Sequence, residues 1–562
     1  MRYGTLTVVS EKGWVGWVAD NRWLVGAVAL VTAVALTIVA VVASGGGSNK
    51  KKVASKGKIE AGTNVEPGAG TSESTLPGGA EIPGATTGGG GTGTGGTKKG
   101  GTTGGPSGTV PPVALPGGVT LPSCAAKAGF KSTGLDEKSV TIGQIVTDVN
   151  ALPAQLKPNK EGLEAYVNLV NAAGGVCGRK INISYENDNL NPATHDFQGM
   201  AKKVFAFVAN SSLLDGNDYD ATPPFNPKYS DNGQFVPDIG GLAYSYSRSQ
   251  SLWHGGTVGS ISPTLGGGLA FKLIQDQAKA AGAACTKGAI VYLTEPTGAS
   301  KDSAYAGQKP LEQSYGAGLG AGNTKFYVEN LAQPELVYEG EVQKMMADGM
   351  NCVFTYMDLG SNIALVQALT AKGVWPPNKC KLGPKCFHAV YVPFSAYDPK
   401  FIRDGGDGAR DVISFLPHVP LNETSAPAMQ TYLNALKKVP GAQPSTFSLI
   451  GWGAGQMFVE AMASCGAAPT RNCVMDYVRN LKNFTAGGLI SGTTPFRSTR
   501  ATCGANDCGS YTGGGTWNWK WIFNCFAMVQ VQDRNGVRDF NRILPDKGYA
   551  CDTLRVVRGT PA

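Results

Sequence analysis

Two carboxylates stand close together in the stretch NAAGGVCGRKINISYENDNLNPAT, residues 171–194. Glu186 and Asp188 are separated by a single residue, and a pair of carboxylates is a residue set that general acid and base catalysis uses. The same stretch also has an architectural interpretation, in which both are loop acids and Asn191-Pro192 begins the next helix, because proline fits the first turn and a nearby asparagine can cap it. The architectural interpretation is the one that the resemblance of this stretch, described below, implies.

Motifs of catalysis, phosphate binding and metal binding are missing from the sequence. It contains no G-x-S-x-G, no G-x-x-x-x-G-K-[ST] and no H-E-x-x-H, and the G-x-G-x-G of GWGAGQ lies within an apolar helical stretch. The four histidines, at 195, 254, 388 and 418, are scattered, and no C-x-x-C occurs, which disfavours zinc. The net charge of +8 is spread along the chain and is not the pattern of a nucleic-acid-binding protein. The sequence therefore predicts no enzyme, no cofactor, no metal site and no nucleic-acid partner.

The 12 cysteines indicate an oxidising compartment. Their number is even and none precedes Cys124, so a long N-terminal part of the chain is free of them. Close spacing predicts three disulfides, which are Cys380 with Cys386, Cys465 with Cys473, and Cys503 with Cys508.

The N-terminal part has the composition of an anchor followed by a tether. Residues 23–43 carry no charge and are long enough for a bilayer-spanning helix of roughly 20 residues. Residues 1–22 are predicted to be a cytoplasmic N-terminus, and residues 44–123, rich in Gly, Thr and Pro, a disordered linker. A cleaved signal peptide is the alternative, although its apolar core normally has only roughly 7–15 residues.

The orientation of this anchor rests on two opposed signals. Lysines at 50, 51, 52, 56 and 58 follow the apolar stretch, and by the positive-inside rule they favour a cytoplasmic C-terminal part. The cysteines and the long tether favour export, and long domains cross membranes largely regardless of charge. The prediction is a single-pass protein of the cell membrane with its large C-terminal part outside the cytoplasm.

The rest of the chain alternates strands with helices. SVTIGQIV, residues 139–146, suits a buried strand, and the apolar spacing within residues 163–170 marks one buried face of a helix that stops at the glycines 174 and 175. KINISYEN alternates as a second strand, and GAIVYLTE, NCVFTYM and HAVYVPF repeat the pattern further along. This alternation predicts an α/β fold with two lobes, each a doubly wound parallel sheet.

The stretch AYVNLVNAAGGVCGRKINISYENDNLNPAT resembles the first lobe of the periplasmic solute-binding proteins of the branched-chain amino acid (Leu/Ile/Val-binding) type, the substrate-binding family of ABC transporters. AFVANSS, FVPDIGGLAY, KGAIVYLTEPTGASKDSAYAGQ and NCVFTYMDLGSNIALVQALTAKGV resemble later segments of that family, in the same order. The resemblance implies a type I fold whose lobes are joined by a three-strand hinge. Lobe 1 would hold residues 139–262 plus about 420–490, and lobe 2 residues 263–419 plus about 491–562.

In this family a small ligand lies in a cleft between the lobes. By position in the matching motifs, the resemblance implies ligand-binding roles for Ser211, Ser212, Ala243, Tyr244, Tyr305, Asp358 and Phe394.

Several of these positions have alternative roles or depart from the family pattern. The serines match the family's carboxylate-binding serine, or cap the following turn. Asp358 can pair with a ligand ammonium group, or cap the helix that begins near residue 361. Tyr244 stands where the family has a small residue or threonine, and a bulky ring there would reshape the pocket. The segment 214–235 is longer than the family's connection and is expected to form a surface excursion beside the cleft.

The resemblance implies a membrane-tethered, extracytoplasmic solute-binding protein that captures an amino-acid-like ligand for an ABC permease. The ligand class would be an amino acid, an amide or a small carboxylate. Many Gram-positive relatives are lipoproteins, but no cysteine precedes Cys124, so the apolar helix is expected to replace the lipid. The alternative function is surface sensing, adhesion or filament formation with the same fold.

Overall fold

A computed structural model of the chain describes residues 113–115, 119–121, 124–149, 156–215, 230–231, 234–242, 244, 248, 254–255, 272, 274–276, 278–279, 284–295, 298–313, 319–331, 335–481, 484–491, 494–498, 518–522 and 525–551. The predicted N-terminus 1–22, the predicted membrane helix 23–43 and most of the predicted linker lie outside these residues. None of the described helices is both long enough and apolar enough to cross a membrane.

The elements follow one another in the alternating order that the sequence predicts. The strands are β1 (Val113–Leu115), β2 (Val119–Leu121), β3 (Ser139–Val146), β4 (Lys180–Asn187), β5 (Ala206–Val208), β6 (Ser230–Asp231), β7 (Gln234–Phe235), β8 (Asp238–Ile239), β9 (His254–Gly255), β10 (Gly288–Thr294), β11 (Thr324–Asn330), β12 (Cys352–Tyr356), β13 (Ala389–Val392), β14 (Ile413–Leu416), β15 (Thr494–Ser498), β16 (Asn518–Ile522), β17 (Cys525–Arg534), β18 (Val537–Leu544) and β19 (Ala550–Cys551). The α-helices with defined bounds are α1 (Lys157–Ala172), α2 (Phe197–Ala201), α3 (Ala299–Gln313), α4 (Glu335–Ala347), α5 (Leu359–Ala371), α6 (Pro399–Gly405), α7 (Pro427–Leu436), α8 (Thr446–Cys465) and α9 (Arg471–Asn480), and 3-10 turns cover Gly383–Lys385, Phe394–Ala396, Gly406–Ala409 and Ala486–Gly488.

Lobe 1 is built on a parallel sheet in the order β4-β3-β5-β8-β9. Helices α1, α7, α8 and α9 share one core with this sheet, and the face of α1 predicted from spacing is buried in it. The two central helices approach closely at glycines, because a methyl group on Gly162 of α1 would lie 1.8 Å from the carbonyl oxygen of Ser448, and one on Gly451 would lie 1.9 Å from that of Asn159. Gly451 and Gly455 of GWGAGQ therefore serve helix packing.

Lobe 2 repeats the same strand order in a larger sheet. Its strands lie in the order β11-β10-β12-β13-β14-β17-β18, with β19 beside β17. The first five are parallel, whereas β17 and β18 add an antiparallel hairpin. In both lobes the first strand along the chain is second in the sheet, the next strand lies at the sheet edge beside it, and the later strands lie on its other side. Because these strands are parallel, their carboxyl ends form one edge of each sheet. The exact residue bounds predicted for the two lobes stay predictions.

Two sequence-based expectations about local structure are wrong. Residues 113–121 were expected to be disordered linker, but β1 and β2 pair as an antiparallel hairpin and β2 contacts α8, since short apolar runs flank the Pro-Gly-Gly that can turn the chain. Asn191-Pro192 does not begin a helix. The Asn191 side chain accepts a hydrogen bond from Ala193 N at 3.0 Å within a turn, and α2 begins only after Asp196, which accepts from Gly199 N at 2.9 Å as its N-cap.

Disulfides close loops in both lobes. The structure contains two of the predicted pairs, Cys380–Cys386 and Cys465–Cys473. It also joins Cys124 to Cys177 and Cys285 to Cys352, pairs that lie too far apart in sequence for spacing to indicate them. Cys503 and Cys508 lie outside the described residues.

Candidate functional site

The carboxyl edges of the two sheets meet in one apolar cluster, which we call the cleft cluster. Lobe 2 contributes two partly buried side chains, Leu331 and Phe394. Lobe 1 contributes the other ten residues, which are the buried Val146, Leu156, Leu213, Leu242, Tyr244, Phe447 and Ile450 and the partly buried Val149, Tyr185 and Leu190. Ligands of open parallel α/β sheets bind at this edge, beyond the carboxyl ends of the strands. The cleft cluster is therefore the candidate site.

Tyr244 and Phe394, two of the predicted site residues, lie in the cleft cluster. Tyr244 is buried, and burial raises the pKa of its hydroxyl. The Phe394 ring centroid lies 6.3 Å from that of Phe447, and the Phe394 carbonyl oxygen lies 3.3 Å from Thr446 Oγ1, at the start of α8. The structure thus brings one predicted residue of each lobe to the same place. Ala243, predicted beside them, lies outside the described residues.

Ser211 and Ser212 follow β5 at this edge, and both are buried. Ser211 continues the sheet, since its backbone N–H donates to Ile145 at 2.9 Å and its hydroxyl accepts from the side-chain amide of Asn159. The Ser212 hydroxyl donates to Asp188 and accepts from Leu214 N at 2.9 Å, which closes the following turn. The sequence analysis gave capping of the following turn as the alternative role of these serines, and the Ser212 hydroxyl has that role.

Asp188 is the centre of a buried hydrogen-bond network. Besides Ser212, its carboxylate accepts from Thr147 Oγ1 at 3.1 Å and from Leu190 N at 2.9 Å, and it lies 3.4 Å from His195 Nδ1. Burial acts to raise the pKa of Asp188, but these hydrogen bonds outweigh it and hold the pKa below its ordinary value. Asp188 is thus an ionised architectural residue that fixes the loop after β5.

The three residue types of a hydrolase triad meet in this network without the geometry of one. The Ser212 hydroxyl donates to Asp188, and His195 Nδ1 lies 3.5 Å from the same hydroxyl oxygen. In a triad the histidine takes the serine proton and the carboxylate binds the other ring nitrogen. Glu186 has a separate task, because its carboxylate accepts from Asp196 N at 2.8 Å. The two acids of the opening stretch are therefore both structural.

A buried arginine, which the sequence analysis missed, ties together the loops of lobe 1. Arg248 is fully buried and holds Asp238 through two hydrogen bonds of 2.8 and 3.1 Å and Asp215 through one of 3.2 Å. Asp215 also accepts from Tyr244 N at 2.9 Å, so the ion pair sets the position of Tyr244. One feature of the sequence could have predicted this ion pair. Asp238 interrupts the apolar run of FVPDIGG, and a charge within a buried strand requires a partner of opposite charge.

On lobe 2, two carboxylates cap helices that start at the cleft edge. Asp358 Oδ1 accepts from Gly360 N at 2.7 Å and from Ser361 N at 3.2 Å at the start of α5, the cap foreseen as its alternative role. Burial raises the pKa of this carboxyl, and hydrogen bonds from Ser361 and Gly360 act against that shift without outweighing it. Glu295 accepts from Ser300 N at 2.9 Å near the start of α3. Its charge acts on Tyr244, where it raises the hydroxyl pKa, so Glu295 lies near the cleft cluster.

Tyr305 does not join the cleft cluster. It lies inside α3, and its ring stacks on Phe326 of β11 at 4.2 Å and meets Tyr292 of β10 edge-on at 6.0 Å. The helix begins at Ala299, so Tyr305 is more than one turn along it and faces the sheet. The described residues hold no group of three or more side chains that could bind a metal ion.

His418 lies between the lobes and gives the protein a predicted acid sensitivity. Its Nδ1 lies 2.8 Å from the Val419 carbonyl and its Nε2 lies 2.8 Å from Thr446 Oγ1. Because a carbonyl only accepts, the neutral ring carries its proton on Nδ1, and Nε2 accepts from Thr446. Burial lowers the pKa of His418 from 6.5 to about 4.

Lowering the pH from 7 to 5 is expected to destabilise the protein through His418. Between pH 6.5 and pH 4 the His418 side chain is protonated in the unfolded chain and neutral in the folded chain. The free energy of unfolding therefore falls as the pH drops from 6.5 toward the folded pKa of about 4. The expected loss from this group is about 2 kcal/mol. Thermal unfolding of the unsubstituted chain and of His418→Gln at both pH values measures it. An equal pH dependence in the two proteins would contradict the assignment.

Comparison with known proteins agrees with the resemblance read from the sequence. Residues 277–510 match the family model described as periplasmic binding protein. Many solved structures are similar, and three of them are described here. An extracellular ligand-binding receptor from Verminephrobacter eiseniae is 16% identical, with 71% of this chain and 99% of that chain covered and a TM-score of 0.51. A fatty acid ABC transporter substrate-binding protein from Thermomonospora curvata is 14% identical, with 78% and 100% covered and a TM-score of 0.54.

The third structure is an ABC transporter solute-binding protein from R. palustris in complex with 4-hydroxybenzoate, 15% identical, with 74% and 98% covered and a TM-score of 0.51. At these identities the likeness establishes the fold. No protein of curated function matches the sequence. The predicted resemblance to the periplasmic binding proteins is confirmed by the family model.

Proposed function

Because residues 277–510 match the family model described as periplasmic binding protein, we propose that this chain is a solute-binding protein that captures a small ligand in the cleft between its lobes. The observation that carries the proposal is the cleft cluster, in which Tyr244 and Leu242 of lobe 1 pack with Leu331 and Phe394 of lobe 2 at the carboxyl edges of both sheets. An apolar site with few polar groups, placed between lobes, is the usual form of a small-molecule site.

The lobes are proposed to open and close about a hinge of three strands. In support of this, the segment of residues 417–419 pairs with residues 489–491 where the chain passes between lobes, through Val419 N to Leu489 and Ser491 N to Pro417, both at 2.9 Å. His418 stands in the same segment and reaches Thr446 of lobe 1. Hinges of this kind absorb motion in a few residues at the ends of elements.

The setting of the protein is proposed from the sequence. Residues 23–43 would anchor the chain in the cell membrane, residues after them would tether the lobes outside the cytoplasm, and the captured ligand would pass to an ABC permease. The anchor predicts that the full chain sediments with membranes after a high-salt wash, whereas a chain starting at Pro111, which keeps the hairpin of β1 and β2, stays in the supernatant. Recovery of the full chain in the supernatant would contradict it.

A thermal-shift panel on the oxidised protein tests the binding function. Amino acids, amides, small aromatic acids, amines and alcohols are offered, because a ligand at about 100 times its dissociation constant adds roughly 2.7 kcal/mol to stability. We expect at least one class to raise the melting temperature. The shift is expected to disappear in Phe394→Ala, and to persist in Leu382→Ala, which removes an exposed side chain of lobe 2.

The same thermal-shift panel also tests the alternative function, a sensing, adhesive or filament-forming surface protein. If no compound shifts the folded chain, and mass spectrometry finds no small molecule retained from the producing cells, the binding function is wrong. The fold would then serve a protein partner. An amino-acid-like ligand stays a prediction from the resemblance.

A further inference from the structure

We propose that the base of lobe 1, the end that lies opposite the cleft, docks on the surface of an anionic lipid membrane. The base consists of residues 127–138, 178–180, 202–205 and 465–471, all of which the structure describes. Three of these segments lead into β3, β4 and β5, which are parallel, so the base lies at the amino edge of the sheet and the cleft at its carboxyl edge. The inference goes beyond ligand capture, which concerns the cleft.

Hydrogen bonds join three segments of the base. Lys180 N donates to Lys138 O at 2.8 Å, which places the start of β4 beside the residue before β3. The backbone N–H of Lys127 donates to Ala467 O at 2.9 Å. The side chain of Arg179 donates to the same oxygen at 2.8 Å. The segment that follows α8 therefore lies against the segments that lead into β3 and β4.

The fourth segment, which leads into β5, lies against two of the others. A methyl group on Gly134 would lie 2.2 Å from Phe205 N, so these two segments are in close contact. Arg471, at the start of α9, donates to the carbonyls of Phe205 and Val204 at 3.0 and 2.7 Å. The four segments therefore form one continuous part of lobe 1.

Positive charge dominates the base. Its segments contain six lysines, all exposed, and two buried arginines, against two carboxylates. The lysines are Lys127, Lys131, Lys138, Lys180, Lys202 and Lys203, the arginines are Arg179 and Arg471, and the carboxylates are Asp136 and Glu137. Backbone hydrogen bonds from residues 138 and 139 lower the pKa of Asp136. Even with both carboxylates ionised, the base keeps an excess of positive charge.

The ratio of lysines to carboxylates leaves this excess available to an anionic partner. Elsewhere on the surface lysines stand beside carboxylates, as Lys325 does at 2.7 Å from Asp348. Six lysines of the base cannot each pair with one of its two carboxylates. One of them, Lys180, also donates from its amine to Asn171 O near the end of α1, where a cation complements the helix dipole. A cluster of exposed charges of one sign attracts a surface of the opposite sign.

The course of the chain favours a lipid membrane as this partner. The disulfide between Cys124 and Cys177 fixes the start of lobe 1 at the base, since Cys177 directly precedes residues 178–180. The predicted tether, which follows the predicted anchor of residues 23–43, ends next to this disulfide. A flexible chain of about 80 residues has an end-to-end distance on the order of 50 Å, so it would keep the base at a high local concentration near the lipid. Basic patches bind anionic headgroups, and each lysine adds to the attraction.

Docking through the base leaves the cleft open to solution. Helix α8 begins at the cleft, where Phe447 and Ile450 belong to the cleft cluster, and it ends at Cys465 in the base. Its 20 residues span about 30 Å, so lipid at the base would not reach the cleft. A docked lobe 1 would therefore present its cleft on the side away from the membrane.

Acetylation of lysines on vesicles tests the docking with the full oxidised chain. The vesicles consist of phosphatidylcholine alone or with about one third phosphatidylglycerol, in about 0.1 M salt. A water-soluble acetylating reagent modifies exposed, unprotonated amines, and an anionic surface both covers the lysines of the base and favours their protonated form. Mass spectrometry is expected to show that phosphatidylglycerol slows acetylation of these lysines at least roughly threefold, and that about 0.5 M salt removes the slowing.

Lys437 and Lys438 provide the control within the same lobe. Both are exposed and lie on the segment that joins α7 to the start of α8, and Tyr432 of α7 hydrogen-bonds to Ser448 near that start. They are therefore at the cleft end of α8, and their acetylation is expected to be the same on both kinds of vesicle. Because each lysine is measured separately, the comparison holds whether or not the N-terminal apolar segment inserts into the vesicles.

Two variants test whether the charge of the base causes the slowing. The first removes four exposed charges of the base and is Lys131→Gln/Lys138→Gln/Lys202→Gln/Lys203→Gln. In this variant, acetylation of Lys127 and Lys180 is expected to proceed at the same rate on both kinds of vesicle. The control variant Lys437→Gln/Lys438→Gln is expected to keep the slowing at the base. All the substituted side chains are exposed, so both variants are expected to fold.

Equal acetylation of the base lysines on the two kinds of vesicle would overturn the inference, and so would equal slowing of Lys437 and Lys438. Soluble poly(glycerol phosphate) and a DNA duplex are tested in parallel. If either slows acetylation of the base lysines and phosphatidylglycerol vesicles do not, the partner is an anionic polymer and the inference is wrong. None of these results decides the binding function, because the thermal-shift panel concerns the cleft at the opposite end of lobe 1.

Discussion

Arg248→Ala is expected to lower the free energy of unfolding by about 3–5 kcal/mol, because it removes the buried guanidinium that pairs with two buried carboxylates. Asp215 and Asp238 are 1% and 0% exposed, so water cannot take the place of the guanidinium without opening the loops. Urea unfolding followed by tryptophan fluorescence measures the effect, since Trp452 packs against Tyr166 in the core of the same lobe. The variant is also expected to lose ligand shifts, since Tyr244 N depends on Asp215.

The matched control for Arg248→Ala is Arg403→Ala. Arg403 also pairs with an aspartate, its neighbour Asp404, but on the surface, where its side chain is 70% exposed. Exposed pairs of this kind contribute little, so the control is expected to change stability by no more than about 0.5 kcal/mol. An Arg248→Ala variant as stable as Arg403→Ala would mean that the buried ion pair does not organise the loops of lobe 1.

Removal of the Cys285–Cys352 disulfide is the second large effect. The bond closes a loop with a sequence separation of 67 residues and ties the chain before β10 to the first residue of β12. Loop entropy in the unfolded chain then predicts a loss of about 4 kcal/mol for the double variant Cys285→Ala/Cys352→Ala. Thermal unfolding followed by circular dichroism measures the loss as a lowered melting temperature.

The Cys380–Cys386 disulfide provides the comparison, because its sequence separation is only 6 residues. The double variant Cys380→Ala/Cys386→Ala is expected to lose about 2 kcal/mol by the same relation. A larger loss from the short loop than from the long one would show that packing around the sulfur atoms, and not chain entropy, governs their contribution.

Periodicity and glycine placement sufficed to predict the framework of the fold. The apolar spacing on α1 predicted its buried face, and the glycines 174 and 175 predicted its end, where Gly175 takes a positive φ of 84° and its N–H bonds to Val170. These features depend on residues within one or two turns of each other, so the sequence displays them directly. The closing β-rich stretch was likewise visible, and it forms β16 to β18.

The candidate site was only partly predictable, because its interactions join distant segments. Tyr244 and Phe394 were placed by resemblance and do reach the cleft cluster. The partners of Ser212 could not be foreseen, since Asp188 lies 24 residues away and its role depends on how two loops fold together. Arg248 binds Asp215 across 33 residues of sequence, part of which has no counterpart in the family pattern. Long-range pairing of charges leaves no periodic signal.

Hydrogen–deuterium exchange of the backbone, with and without the compound that shifts the melting temperature most, tests the central claim most directly. Because the ligand is proposed to lie between the carboxyl edges of both sheets, the account predicts slower exchange at residues 240–244 of lobe 1 and at 356–361 and 392–396 of lobe 2 together, with the exchange of β17 and β18 unchanged. Protection confined to one lobe, or centred outside these segments, would contradict a ligand held in the cleft.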